Sequence, residues 1–150
     1  MNRHFAQDAG AVEWLGVIYK TILRPEECGG RMSIMEVLSP PGSSPPRHIH
    51  HREDETFVLL SGQYTFWLEG ETVSKGAGET VFVPRGKEHT YHVGGAVPSR
   101  HLTILTPGGF EAFFNAMARK QYRVPEDMEA IEACARRYHL TFTGPPMGAE

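Results

Sequence analysis

The pattern of hydrophobic and polar positions divides the chain into a long β-rich part and a shorter helical part. Up to residue 106, short runs of β-branched and aromatic residues alternate with glycine or proline turns. This spacing is typical of an all-β sandwich or barrel. The predicted strands cover residues 12–23, 31–38, 55–60, 64–69, 72–74, 80–83, 90–93 and 100–106.

Two amphipathic helices are predicted after the β-rich part, and we expect the apolar stripe of each to pack against the barrel. The first covers residues 110–121 and the second residues 125–138. In the first, the stripe consists of Phe110, Phe113, Phe114 and Met117; in the second, of Met128, Ile131, Ala135 and Tyr138.

We expect a single domain over residues 1–150, with a barrel at about 12–107 and a helical segment at about 109–140. The first ten residues and the tail from Gly144 are expected to be mobile. In the strand at 31–38, Met32, Ile34 and Leu38 would share one face, with Glu36 as the polar member of that face.

Composition excludes several classes of partner. The chain has 150 residues and a formal charge of -3, and it has no basic run of the kind that binds nucleic acid or an anionic membrane. No apolar run approaches the ~20 residues that span a bilayer.

The N-terminus lacks the pattern of a signal peptide, so we expect a cytoplasmic protein. Cys28 and Cys134 are then expected to be free, buried thiols.

Four potential metal ligands occur in two separate stretches, residues 42–62 and 78–93. His48 and His50 are two apart, so a strand would point both to the same face. Glu55 would face the opposite side of a continuous strand, but the polar residues 51–54 predict a turn that lets it face the same interior. His89 follows a proline-glycine bend. Imidazole and carboxylate are ligands for zinc, iron, manganese, nickel or copper, so we expect the four to bind one metal ion.

Three other histidines are expected to lie outside the ligand set. His51 and His92 alternate away from the proposed ligands. His101 would either line the cavity beside Thr103 or pair with the backbone of its strand.

The spacing of these residues resembles the two motifs of the cupin superfamily. The first motif matches Gly42, His48, His50, Glu55 and Gly62, and the second matches Gly78, Pro84, Gly86 and His89. The chain departs from the pattern at Val93, where the second motif usually ends in asparagine. That asparagine is not a metal ligand, so the departure leaves the ligand set unchanged.

The resemblance implies an all-β fold of the cupin type, a double-stranded β-helix or jelly-roll barrel, with two short C-terminal helices. It also implies one divalent transition metal ion per chain (iron, manganese, nickel, cobalt, copper or zinc), held by His48, His50, Glu55 and His89. The chain looks most like single-domain cupins similar to quercetin dioxygenases. Such cupins are often dimers, so we expect a homodimer that binds a small-molecule substrate and neither nucleic acid nor a membrane.

The expected function is that of a metal-dependent dioxygenase acting on a phenolic or enol-bearing small molecule. Glu55 would be a catalytic residue, as ligand and as acceptor of the substrate's hydroxyl proton. Phe57, Phe66 and Tyr91 would either shape an apolar substrate pocket or serve as core packing. Two alternatives stay open: a non-redox cyclase or isomerase of the aromatic polyketide type, with the metal as Lewis acid, and a non-catalytic small-molecule-binding protein.

Overall fold

The computed structural model describes residues 10–148 and shows two antiparallel sheets and two short helices. Residues 1–9 and 149–150, which include most of the expected mobile N-terminus and the end of the tail, lie outside the described part. The strands are β1 (Ala11–Trp14), β2 (Val17–Leu23), β3 (Ser33–Ser39), β4 (Arg47–His50), β5 (Asp54–Ser61), β6 (Gln63–Leu68), β7 (Glu71–Gly76), β8 (Thr80–Val83), β9 (Glu88–Val93), β10 (Ser99–Thr106) and β11 (Leu140–Gly144). The helices are α1 (Glu111–Lys120) and α2 (Met128–Arg136). The predicted double-stranded β-helix with two C-terminal helices is confirmed.

Strands that follow each other along the chain are often in different sheets. The six-stranded sheet has the order β1-β2-β3-β10-β5-β8, and the five-stranded sheet has the order β11-β4-β9-β6-β7. The bend at residues 51–53 therefore carries the chain from β4 in one sheet to β5 in the other. Because the inner faces of the two sheets oppose each other, side chains on either side of this bend can meet in the interior.

The strand predicted at residues 12–23 is a hairpin. β1 and β2 pair directly, with Trp14 opposite Val17, and Leu15 and Gly16 form the turn with φ of 55° and 79°. Sequence pattern alone did not separate the strands, because Gly16 is the one turn-forming residue in a run rich in β-branched and aromatic residues.

The face of β3 that carries Ile34, Glu36 and Leu38 is opposite the face of Met35 and Val37, which belong to the hydrophobic core. Met35 and Val37 are buried, with 1% and 2% of their surface exposed, whereas Ile34 is only half-buried. Glu36 lies on the outer face, where its carboxylate pairs with Arg100 of β10. Glu36 favours this orientation of the two faces, because burying a carboxylate in the core costs more free energy than leaving it at the surface with a partner.

The helices pack as predicted and form one hydrophobic cluster with the β1–β2 hairpin. Phe113 and Met117 of α1 and Ile131 of α2 are buried in the same cluster as Trp14. Burial of each such side chain stabilises the fold by roughly 1.5–3 kcal/mol. The Trp14 indole N–H also donates to the carbonyl of Tyr122, at 2.7 Å. Of the described residues, neither helix is long and apolar enough to cross a membrane.

The sequence did not predict β11, which follows the helices and returns to the barrel. It pairs with β4, so that Leu140 lies opposite His50 and Phe142 opposite His48. The helical segment therefore ends in a strand that covers the edge of the strand carrying two candidate ligands. Elsewhere, Cys28 and Cys134 are free, as expected, but half-buried rather than buried.

Candidate metal centre

Three strands bring the four candidate ligands together between the sheets. His48 and His50 lie on β4 with their side chains buried, while Ile49 between them is partly exposed. His89 lies on β9, directly opposite His48 in the pairing of the two strands. Glu55 lies on β5 in the other sheet. The centre thus joins three histidines of one sheet to a carboxylate of the other.

The ligand atoms of these four residues converge tightly. One atom from each lies within 4.8 Å of those of the other three. Glu55 Oε1 is 3.0 Å from His89 Nε2 and 3.4 Å from His50 Nε2. All four residues are buried, so their polar atoms contact one another instead of water. Such a cluster is stable only if its charges and lone pairs are neutralised inside the protein.

Backbone carbonyls orient two of the imidazoles. Nδ1 of His48 lies 2.7 Å from the carbonyl oxygen of Pro46, and Nδ1 of His89 lies 3.1 Å from that of Lys87. A carbonyl only accepts, so Nδ1 carries the proton in both rings and Nε2 presents a lone pair to the centre. A hydrogen bond of this kind on the outer ring nitrogen is typical of metal-ligating histidines.

Ionisation at the centre also suits a metal ion. Burial lowers the pKa of His48 well below its usual value, and the nearby His89 and His50 lower it further, so His48 is a neutral base at neutral pH. Burial by itself raises the pKa of Glu55, but the neighbouring imidazoles of His50 and His89 outweigh it and bring the pKa to about 2. Neutral imidazole and ionised carboxylate are the forms that bind metals.

The distance between His89 and Glu55 indicates whether a cation fits between them. With Nδ1 of His89 protonated, Nε2 of the neutral ring and Glu55 Oε1 are both acceptors, yet they lie 3.0 Å apart. Two acceptors stay this close only with a positive charge between them or on the ring. The three imidazoles and one carboxylate therefore fit a divalent transition metal ion, and the metal's identity stays open within the predicted set.

The fold and this donor set agree with a comparison against known families. Residues 35–105 match the cupin domain family, a range that contains all four candidate ligands. Residues 35–105 form a cupin domain.

Individual known proteins match about two thirds of the chain. Over 100 residues it is 26% identical to quercetin 2,3-dioxygenase of Bacillus subtilis; the match covers 67% of this chain but only 29% of that protein. A predicted oxalate decarboxylase from Thermotoga maritima shares the fold with a TM-score of 0.58 and 26% identity, over 61% of this chain and 80% of its own. The polyketide cyclase RemF from Streptomyces resistomycificus has a TM-score of 0.55 and 24% identity, over 67% and 69%.

The cupin barrel opens beside the ligands into a cavity of about 110 Å³. His48, His50 and Glu55 form part of its wall. For comparison, an apolar cavity of roughly 150 Å³ holds a benzene ring, so this volume suits a compact molecule. Eight aromatic side chains line it besides the histidines: Trp14, Tyr19, Phe57, Tyr91, Phe110, Phe113, Phe114 and Phe142.

Of the three residues expected to shape a pocket, two contact this cavity. Phe57 and Tyr91 belong to its wall. Phe66 does not; its ring packs behind them, with centroids 5.0 Å from Phe57 and 5.7 Å from Tyr91. Phe66 therefore supports the wall as core packing. The sequence left these two roles open because all three residues alternate inward on their strands.

Sequence reasoning assigned Glu53 to a polar turn and missed its position. Its side chain is buried, with 4% exposed, and Oε1 lies 3.7 Å from Nδ1 of His50. Within the described part of the chain, neither atom has a hydrogen-bond partner. A carboxylate beside the outer nitrogen of a ligating imidazole fixes the ring and raises its basicity. The hint in the sequence is the position of Glu53 three residues after His50. A polar turn sequence does not show that one of its side chains is buried.

Histidines outside the ligand set divide as the sequence suggested. The exposed His51 bonds Thr141 through Nε2, at 2.9 Å, and His92 is only half-buried on β9. His101 is almost fully buried, with 1% exposed, and lines the cavity beside Thr103. Its partners are side chains rather than the backbone of its strand.

Proposed function

We propose that this cupin is a metal-dependent dioxygenase that acts on a compact phenolic or enol-bearing molecule. The observation that carries the proposal is the position of the donor set: three imidazoles and a carboxylate converge at the wall of a small aromatic-lined cavity. The identity shared with the Bacillus quercetin dioxygenase supports it. Because the chain spans 29% of that protein's length, the substrate and activity of this chain are inferred from its own site.

His48, His50, Glu55 and His89 would hold the metal ion. When bound, the ion would supply Lewis acidity toward an enol or phenol oxygen and a redox centre for dioxygen. Both atoms of one dioxygen would enter the product, so the overall reaction needs no external reductant.

Side chains of the protein would carry out the remaining steps. Glu55 is the ionised group at the wall of the cavity, and it would accept the hydroxyl proton of the substrate. Phe57, Tyr91 and Phe110 would stack against the substrate ring and exclude water. The rings of Phe110 and His50 pack edge to face, with centroids 4.5 Å apart, so the C-terminal segment would help to orient a ligand.

Oxygen consumption tests the proposal. Protein loaded separately with iron, manganese, nickel, cobalt, copper or zinc would be assayed with simple phenols, enols and flavonols. We expect uptake with at least one redox-active metal, stronger for one-ring substrates than for flavonols because the cavity is small. His48→Ala should abolish it, whereas His51→Ala should not. Tightly bound zinc with no uptake for any substrate would instead favour the cyclase or isomerase alternative.

The homodimer and the cytoplasmic location remain predictions. Phe82 lies on the edge strand β8 with 56% of its surface exposed. A partner subunit that covers this ring would remove both an exposed apolar group and a free sheet edge. Sedimentation equilibrium should then give twice the chain mass, and a monomeric mass would contradict the homodimer.

A further inference from the structure

A chain of three hydrogen-bonding side chains lies inside the barrel beside the metal centre. The Tyr64 hydroxyl is 2.9 Å from Nδ1 of His101, and Nε2 of His101 is 3.1 Å from the hydroxyl of Thr103. All three residues are at least 95% buried, and His101 and Thr103 line the cavity. Most of the surrounding wall is aromatic or aliphatic, so these polar groups need an explanation.

The direction of this chain follows from its partners. Within residues 10–148, the Tyr64 and Thr103 hydroxyls each have His101 as their one hydrogen-bond partner, but Thr103 lines the cavity and Tyr64 does not. A Tyr64 proton that did not go to Nδ1 of His101 would stay buried and unpaired, whereas the Thr103 proton can reach a molecule in the cavity, so Tyr64 is the donor to Nδ1. The proton of the neutral ring must then be on Nε2, from which it is donated to the Thr103 oxygen. Burial lowers the pKa of His101 to about 4, which keeps the ring neutral near pH 7.

This order leaves one donor without an acceptor. The Thr103 hydroxyl accepts from His101, and its own proton has no partner in the described part of the chain. Since Thr103 lines the cavity, that proton is available to a bound molecule. A buried donor that stays unpaired costs about 1–3 kcal/mol, so an oxygen acceptor in the cavity would be favoured.

Register places Thr103 at a defined distance from the metal centre. On the paired strands β5 and β10, Glu55 lies opposite Leu105 and Phe57 lies opposite Thr103. Thr103 is therefore one inward-facing row from Glu55, which corresponds to about 7 Å along the strand. A molecule that reaches from the ligands to Thr103 has about the length of one substituted ring.

We propose that Thr103, oriented by His101 and Tyr64, is a specificity-determining donor that binds a carbonyl or ether oxygen at the end of the substrate opposite its metal-binding hydroxyl. The inference rests on the proposed function, because it takes the metal centre as the anchor of that hydroxyl. It narrows the substrate class to compact phenols or enols with an acceptor oxygen across the ring.

Two probes of similar size separate the two anchors. 4-Hydroxyacetophenone carries a hydroxyl and a carbonyl at opposite ends, whereas 4-ethylphenol lacks the carbonyl. Their dissociation constants would be measured by calorimetry on zinc-loaded wild type, Thr103→Val and Thr103→Ser. Comparing the ratio of the two constants between variants cancels the different acidities of the two phenols.

We expect Thr103→Val to weaken 4-hydroxyacetophenone by roughly three- to tenfold, the effect of one neutral hydrogen bond, and to leave 4-ethylphenol nearly unchanged. Thr103→Ser should restore the wild-type ratio, and Thr65→Val on the outer side of β6 should not alter it. An unchanged ratio in Thr103→Val would overturn the role of Thr103, even if both phenols bind.

The metal anchor is tested separately with His48→Ala. If both phenols bind wild type and this variant equally well, the metal-anchored function fails, while a changed ratio in Thr103→Val would still support the donor. If neither phenol binds the zinc-loaded wild type, both the substrate class and the role of Thr103 are overturned.

The order of the hydrogen bonds has its own test. ¹⁵N spectra of the imidazole rings in the zinc-loaded protein should show His101 protonated at Nε2. Tyr64→Phe removes the donor to Nδ1, so the other tautomer should appear and the preference for 4-hydroxyacetophenone should fall. Protonation at Nδ1 in the wild type would reverse the chain and overturn the proposal.

Discussion

His89 Nε2 lies 3.0 Å from Glu55 Oε1, although the two residues are 34 positions apart and belong to opposite sheets. The contact joins the two halves of the barrel at the point where a metal ion fits. It also couples the centre to folding, because neither sheet alone assembles the donor set. Binding of a metal should therefore stabilise the folded protein.

Removing either type of ligand should abolish tight metal binding. We expect His48→Ala and Glu55→Ala each to lower zinc affinity by more than about 100-fold, since even groups outside the ligand shell account for 10–100-fold. Competition with a chromophoric chelator measures the affinity. His51→Ala is the matched control and should bind as wild type. Unchanged zinc binding in both ligand variants would refute the centre.

Glu53 should strengthen the centre through His50. Replacing it by glutamine keeps its size but removes the charge 3.7 Å from Nδ1 of His50. We expect zinc affinity to fall by about tenfold in Glu53→Gln. The exposed Glu71→Gln carries the same change of charge and should have no effect. Equal affinities of the two variants would show that Glu53 does not act on the ligand.

His101 should make stability depend on pH. Burial lowers its pKa from 6.5 to about 4, so the unfolded chain binds a proton that the folded protein excludes. Above about pH 6.5 the ring is neutral in both states, and its titration does not lower the free energy of unfolding. Below that pH the free energy of unfolding decreases, by about 2 kcal/mol at about pH 5.

Urea unfolding of metal-free protein at these two pH values measures the difference. His101→Gln has no such titration, so its stability should fall about 2 kcal/mol less than that of the wild type over this interval. His48 titrates in both proteins and cancels in the comparison. The same loss in wild type and variant would contradict the assignment.

The packing of α1 against the β1–β2 hairpin should be a major source of stability. Phe113 is 2% exposed, and its ring lies 6.1 Å from that of Trp14. Truncation to alanine should cost about 3–5 kcal/mol of the free energy of unfolding. Val97→Ala, at a side chain that is 63% exposed, should stay within about 0.5 kcal/mol of wild type. Similar midpoints in urea for the two variants would disprove this role of the helix.

Local pattern predicted most of the fold because alternation and turn residues act over a few positions. Thus the strands that begin at Thr80 and Gln63 were anticipated within a residue or two, and so was α1 with its stripe from Phe113 to Met117. Which face of β3 points to the core was not predicted, because the partner of Glu36 is Arg100, 64 residues away. β11 was missed because a strand of five residues is stable only through its pairing with β4.

The candidate site shows the same division. Sequence alone determined that His48 and His50 point to one face, since strand geometry has a period of two. The two motifs indicated that Glu55 and His89 complete the set, but only the tertiary structure decided how closely they approach, that Glu53 is buried beside His50, and that Thr103 lines the cavity beside His101. Each of these facts depends on which strands are neighbours across the barrel, and that is set by packing between the sheets rather than by any local run of residues.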